Sequence, residues 1–514
     1  MNNIFSFLDR ADNARNAQVC KTWCDIALKI IWAEADNLCA LFSILAPSCV
    51  STKEEGRKVQ SFTRLPFVSD WRRFDKYATL VCKLKYNAAD EPIISRAVLR
   101  DIAQTRIRLQ IFPNLHTLEW KPRHPYTKHM PNLSDAILFM HEGVKALSIF
   151  LPGYAKKCHV EQLVFDVPLR MPRLTEITIT SVIEVIGLEK YLCDLVSNLH
   201  ALKKISIPSE YLTNRLTDAL SLLPALSTIV AAFGDGDAAL LDHAQLVIPL
   251  QRFSALKTFC VKAPLSVVTH FLKAGTSSSY LATLVVTSES GPASDIQQML
   301  ELCAEEYKEL GCLELNFDRR ITSVGNPLPR ITFSALRPLG DWSNSSLTDL
   351  CILHPVTLGL SLEELTSIVS AHPNLSKLVL NPSPVECEGS ALGLDVLPLI
   401  AQHCKGLNEL GLFLDATKPV PPRRIDAIQR TILFPKLVSC SFGVSVITKE
   451  SCRVAAGYIS TCLPSGCKIK YGAEWAKDDG GGPRIRIANA RSKLWKEVEG
   501  LLQFVEVVRI QERT

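Results

Sequence analysis

The sequence predicts an α/β fold: a solenoid of about twelve strand–helix repeats, preceded by a small helical unit and closed by a C-terminal cap. Three observations predict it. A six-residue apolar pattern recurs twelve times, its copies are nearly evenly spaced, and the segments between copies carry helical periodicity. The pattern is a leucine, two residues, an apolar residue, one residue and another apolar residue. It reads Leu115-His-Thr-Leu118-Glu-Trp120, Leu174-Thr-Glu-Ile177-Thr-Ile179 and Leu202-Lys-Lys-Ile205-Ser-Ile207. It returns from Leu256, Leu281, Leu310, Leu347, Leu375 and Leu407, with weaker copies from Val144, Leu226 and Leu437. The mean spacing is about 29 residues, the upper end of the leucine-rich-repeat range.

Each part of the unit has a physical reason. The two alternating apolar positions lie on one face of a short strand. That face needs a covering element, and Ile296, Met299, Leu300 and Cys303 supply one at i, i+3, i+4 and i+7. Leu362, Leu365 and Val369 repeat the pattern, as do Leu394, Leu397, Ile400 and Cys404. Ser294-x-x-Gln297 and Ser361-x-x-Glu364 read as capping boxes. Pro113, Pro172, Pro224, Pro373 and Pro435 each stand two before an anchor residue and end the preceding helix. One unit cannot bury its own apolar face, so neighbours stack. Right-handed crossovers put the helices on the convex side and twelve strands on a concave strip about 50 Å long. The expected architecture is a ribonuclease-inhibitor-like leucine-rich-repeat solenoid over 111–445.

Composition is compatible with this. Of 514 residues, 47% are hydrophobic and 21% charged, which excludes a wholly disordered chain. The net charge of +5 is too small to point to nucleic acid. No apolar run is long enough for a membrane span, and the N-terminus has no secretory pattern. The 17 cysteines are scattered, with no C-x-x-C, and read as reduced small core hydrophobes. A cytoplasmic or nuclear location is therefore expected. No metal, cofactor or catalytic set is expected, since no G-x-S-x-G, H-E-x-x-H or kinase signature occurs.

Residues 1–47 lack the repeat. They read Ile4-Phe5-Ser6-Phe7-Leu8-Asp9, then Val19-Cys20-Lys21-Thr22-Trp23-Cys24-Asp25-Ile26-Ala27, then Trp32. The pattern predicts a small helical unit in which Val19 and Trp23 share a helix face at i, i+4 and Asp9 and Asp12 cap helices. This segment resembles the F-box, through the apolar Ile-Phe-Ser-x-Leu-Asp stretch, the Val-Cys-x-x-Trp-x-x-Ile-Ala stretch and the later tryptophan, in order. The usual Leu-Pro start and first-helix acidic residue are absent, because Met1 falls inside the motif. The expectation is an N-terminally truncated F-box, or a start site upstream of Met1. The whole chain resembles F-box/leucine-rich-repeat proteins of the irregular kind abundant in fungi.

That resemblance implies a role. An F-box docks on the Skp-type adaptor of a cullin–RING (SCF-type) ubiquitin ligase, and the repeat domain holds a protein substrate. The chain itself would be no enzyme. By motif match, Ile4, Phe5, Leu8, Val19, Cys20 and Trp23 would form or support the adaptor surface; Val19 and Trp23 read equally well as helical core. Substrate would lie on outward strand positions: Glu119, Thr178, Ser206, Cys351, Leu353, Gly411 and Phe413. Leu353 and Phe413 are the better anchors, because apolar and aromatic residues dominate hot spots, unless a neighbouring loop packs over them. The alternative is a repeat scaffold with no ligase link. No nucleic-acid or membrane partner is expected, and the chain outside a complex is expected to be a monomer.

Other segments are read as structural. Residues 48–110 carry a charge of +6, with Trp71, Phe74 and Tyr77 among Arg72, Arg73 and Lys76. They read as a helical linker and N-terminal cap, or as a nucleic-acid patch. Gly480-Gly481-Gly482-Pro483 reads as a turn, and Asp235 and Asp237 as a solvated turn or a cation contact. His372 and His403 sit near helix ends and read as C-terminal caps. Within 446–514, Leu494, Val498, Leu501, Leu502, Val505 and Val508 keep a helical period, giving a capping helix or a free amphipathic tail.

Overall fold

The computed structural model describes residues 2–511 except 53–55, 91, 123–131, 154–156, 182, 184, 233–252, 274–279, 289–291, 318–330, 343–345, 388, 421–432, 474 and 476–481. Asp235, Asp237, Gly480 and Gly481 lie outside the described residues. The chain divides into two compact units, Met1–Leu241 with Phe253–Ala255, and Asp242–Arg252 with Leu256–Thr514. Each is α/β, with a parallel sheet whose strands alternate with helices in sequence, the arrangement a solenoid repeat requires.

In the first unit the strands Glu34–Ala35, Lys83–Asn87, Thr117–Lys121, Ala146–Leu151, Glu176–Ser181, Lys204–Pro208 and Thr228–Ala232 lie side by side in that order. The second unit runs Thr258–Lys262, Thr283–Ser288, Cys312–Phe317, Asp349–Leu353, Lys377–Leu380, Glu409–Leu412, Ser439–Gly443 and Lys468–Tyr471. The register is the one the repeat pattern predicts. Leu118 pairs with Leu147, Leu147 with Ile177 and Ile177 with Ile205. Leu313, Leu350, Leu378 and Leu410 make the same row in the second unit. All twelve anchor residues are buried.

The prolines act through a turn. The amide N–H of the anchors Leu115, Leu174, Leu226, Leu375 and Leu437 donates to the carbonyl three residues earlier, with proline second in the turn each time. Proline presets the φ that this position of a type I or II turn needs, so helix end and strand start are set by one residue. Ser361 and Glu364 form the expected reciprocal cap, with Ser361 N donating to the Glu364 carboxylate at 2.7 Å. Ser294 and Gln297 do not. Pro292 takes the cap position, the helix starts at Ala293, and Ser294 falls inside it.

The sheets extend beyond the recognised copies. The segment 48–110, expected to be helical, holds the antiparallel pair Ser48–Thr52 and Lys58–Phe62 besides the helices Val68–Ala78 and Arg96–Thr105. It also contributes the strand Lys83–Asn87, which sets Leu84 in register with Leu118. Trp71 and Phe74 are buried and Tyr77 stacks on Trp32, so the first two are closed to a base. At the other end, Lys468–Tyr471 adds a strand after 446. The helix Pro483–Gln511 packs on the helix Cys452–Cys462. All seventeen cysteines are free thiols; eight are buried and only Cys20, Cys49 and Cys158 are exposed. Among the described residues no helix is long and apolar enough to cross a membrane.

Three buried imidazoles make stability depend on pH. His141 Nε2 is 2.9 Å from the Phe112 carbonyl while its Nδ1 accepts from Gly143 N–H. His354 Nδ1 accepts from Val356 N–H, and His372 Nε2 is 2.8 Å from the Leu339 carbonyl. Burial pushes all three below their ordinary value, His372 down to about 4. His372 takes the C-cap position of the helix Leu362–Ala371, as its place near a helix end suggested, and is neutral there at pH 7. Because its folded pKa lies below the unfolded one, the unfolded chain takes up the proton first as pH falls from 6.5 towards 4, and stability drops over that window. At pH 5.5 the cost of His372 is about 1.4 kcal/mol. Urea midpoints at pH 7.5 and 5.5 should fall less in His372→Gln than in the native chain.

Candidate functional site

The N-terminal helices are organised around one buried asparagine. Asp9 caps the helix Arg10–Asn16, its carboxylate accepting from Asp12 N–H at 2.7 Å. Asn13, buried on that helix, donates its Nδ2 to the Phe5 carbonyl at 3.0 Å and to the Leu8 carbonyl at 3.2 Å. These bonds satisfy the last carbonyls of the short helix Asn2–Phe5 and fix the turn that follows. Phe5 is buried edge-on against Trp23, with ring centroids 5.3 Å apart. Phe5 and Trp23 are thus the internal contact of this unit, and Trp23 is half-buried.

The other motif residues point elsewhere. Val19 does not share a helix face with Trp23. Gln18 and Val19 close the preceding helix in a turn, Cys20 is extended, and the next helix starts at Lys21. Val19 is left 62% exposed, and Cys20 is exposed beside it. Ile4 and Leu8 are also exposed, and Phe7 is the most open at 87%. Phe7 was missed because the motif marks that position as variable. Its signal was an aromatic residue three after Ile4 with no helical partner to cover it. The unit is tied to its sheet by the ion pair Arg10–Asp36 at 2.7 Å and by Trp32 stacked edge-on against Tyr77. The helix Lys21–Ala33 runs directly into the edge strand Glu34–Ala35.

The strand positions expected to face substrate divide into three kinds. Glu119 is outward but engaged: Lys83 Nζ lies 2.9 Å from its carboxylate, and Lys85 pairs with Glu34 along the same edge. Thr178, Ser206 and Leu353 are half-buried. Cys351 is buried in the row beside Glu314 and Val379, and burial pushes its thiol up to about 12, so it stays protonated at neutral pH. Gly411 is covered by Val379, whose Cγ1 would lie 3.1 Å from any Cβ there.

Phe413 is not an exposed anchor. It is 6% exposed and packs with Cys387, Val444 and Ala488, against which Val446, Ala473 and Trp475 also lie. Ala488 belongs to the C-terminal helix Pro483–Gln511. Arg491 from the same helix donates to the Cys387 and Val444 carbonyls at 3.2 and 3.0 Å. Trp495 donates to the Ser445 carbonyl at 3.0 Å and stacks on Phe442 at 4.5 Å. The protein's own C-terminal segment therefore occupies the surface beside Phe413.

Among curated proteins, none matches this chain. The chain's N-terminal residues 1–37, which hold Asn13, the Phe5–Trp23 contact and the exposed Ile4, Phe7, Leu8 and Val19, match the family model described as F-box-like.

Proposed function

We propose that this protein is a substrate-recognition subunit of an SCF-type ubiquitin ligase. It docks on a Skp-type adaptor through its N-terminal unit and holds a protein substrate on its parallel-stranded units. The observation that carries the reading is the F-box-like segment presenting Ile4, Phe7, Leu8 and Val19 to solvent around a closed Phe5–Trp23 contact. Exposed apolar residues of this density on so small a unit favour a protein interface. Burying a fully open side chain of this kind is worth about 1.5–3 kcal/mol, and Phe7, Ile4 and Val19 are the most open of the four. Cys20 borders this surface, while Phe5 and Trp23 support it from behind. The chain acts by holding partners together, with the ligase chemistry supplied by the cullin–RING assembly, in the cytoplasm or nucleus.

Co-purification with a Skp-type adaptor tests this. The full chain is expected to retain the adaptor. Val19→Asp with Phe7→Asp should reduce capture at least 100-fold while leaving the melting temperature in place, because both side chains are open. Absence of capture by the native chain would leave a repeat scaffold with no ligase link.

A further inference from the structure

The first unit carries a second candidate site away from the N-terminal surface, on the edge of its small sheet. That sheet runs Ser48–Thr52, Lys58–Phe62, Ile93–Ile94, so Ser48–Thr52 is an outer strand. It pairs antiparallel with Lys58–Phe62, Val50 standing opposite Gln60. Two hydrogen bonds fix which of its main-chain groups face outward. Thr63 N–H donates to the Pro47 carbonyl at 2.9 Å, so Pro47, Cys49 and Ser51 are the residues that turn their main-chain groups to the neighbouring strand. Ser95 N–H donates to the Gln60 carbonyl at 2.9 Å, so Gln60 turns its own the other way, towards Ile93–Ile94. Ser48, Val50 and Thr52 are thereby left with N–H and C=O on the open edge. None of these groups has a main-chain partner among the described residues.

The edge is held in place and left bare. Gln60 Nε2 donates to Ser48 Oγ and Ser43 Oγ, both at 2.8 Å, and to the Cys39 carbonyl at 3.0 Å, which ties the strand pair to the helix Leu38–Ser43. Cys49, Val50 and Thr52 are exposed, Val50 by 54%. Proteins ordinarily blunt such an edge with lysine, proline or a bulge. Ser48-Cys49-Val50-Ser51-Thr52 holds no charge and no proline, and its register with Lys58–Phe62 runs without a bulge. What fits outward N–H and C=O pairs at every second residue is another extended main chain. We propose that this edge takes up an extended, uncharged segment of a partner protein as a fourth, antiparallel strand, with a β-branched or aromatic residue beside Val50. Main-chain bonds supply the hold and alternate side chains the choice, in the manner of strand addition. β-Branched and aromatic residues make the favourable cross-strand pairs. A second copy of this edge brings only five residues of strand, whereas a lasting pair of folded chains buries roughly 1,200 Å² or more. The site stands independently of adaptor docking, since it shares no residue with the N-terminal surface.

The test uses the full chain without adaptor. A phage-displayed library of short random peptides is panned over it, and enriched peptides are measured by fluorescence anisotropy and by hydrogen exchange read at single amides. In the free chain the Val50 amide should exchange at least tenfold faster than those of Cys49 and Ser51, and a bound peptide should slow it at least tenfold. Val50→Pro deletes an outward N–H and spares the bonds to Lys58–Phe62, so it should weaken the peptide at least tenfold with no change in melting temperature. Val50→Ile should bind as the native chain does. Methylating alternate backbone nitrogens of the peptide should abolish binding in one phase and spare it in the other, with the protein unaltered. No enrichment, a Val50 amide already slow in the free chain, equal binding by Val50→Pro, or a dimer of the native chain that Val50→Pro dissociates would each overturn the proposal.

Discussion

Trp495→Ala should lower the stability of the second unit by about 3–5 kcal/mol, the usual cost of removing a buried aromatic side chain. Trp495 is fully buried, its ring lies parallel to Phe442 within 7°, and its indole N–H is the donor to the Ser445 carbonyl. Alanine removes the stack and leaves that carbonyl short of a donor, which adds about 1 kcal/mol. For a unit of this size the melting temperature should fall on the order of 10 °C. Trp495→Phe keeps a ring on Phe442 but loses the hydrogen bond and part of the indole volume, so it should cost about 2 kcal/mol, less than Trp495→Ala. A melting curve of Trp495→Ala within 1 °C of the native one would mean that the C-terminal helix is not part of this core. The same variant should loosen the cover beside Phe413, read as faster hydrogen exchange over 442–446.

Phe42→Ala is the corresponding lesion in the first unit. Phe42 lies on the helix Leu38–Ser43, has no exposed surface, and sits 6.0, 6.3 and 6.5 Å from the rings of Phe74, Phe112 and Phe139. Phe139 and Phe112 stack at 5.7 Å, and Trp120 joins Phe139 to Tyr86. Removing the hub ring opens a cavity lined by three other rings, held on three separate segments and poorly able to close in. The expected cost is about 3–5 kcal/mol, read as a lower urea midpoint with an unchanged slope. Phe42→Leu, which fills most of the volume, should cost about 1 kcal/mol. If Phe42→Ala and Phe42→Leu gave the same midpoint, refilling the volume would contribute nothing and the cavity account of this site would fail.

Sequence by itself determined what is local and periodic. The apolar pattern specifies which residues of each strand are buried, because strand alternation has a period of two and a slip of one residue would expose Leu350, Leu378 and Leu410 together. Proline before five of the twelve anchors, Leu115, Leu174, Leu226, Leu375 and Leu437, specifies where helix yields to strand, because its φ is set covalently. Asp9 as a helix cap and Ser361 with Glu364 as a capping box were equally legible, since each bond spans three residues. Six adaptor candidates were found by motif, yet their division into buried Phe5 with half-buried Trp23, and exposed Ile4, Leu8, Val19 and Cys20, was not.

Tertiary structure decided what depends on residues far apart in the chain. The strand Lys83–Asn87 escaped notice because charged residues alternate with Leu84 and Tyr86, and only pairing with Thr117–Lys121 reveals its buried face. Cys351 and Phe413 occupy outward positions by alternation, but outward is not exposed. Phe413 is covered by Trp475 and Ala488, more than sixty residues later in the chain. His372 is neutral because Leu339 and Trp342 enclose it, which no neighbour in its own helix implies. Arg96, Arg100, Arg106 and Arg170, spread over more than seventy residues of sequence, likewise come to line one cavity only in the folded chain. Periodicity reports which face of an element is apolar; what finally covers that face, or leaves it open, is set by long-range packing that no local pattern encodes.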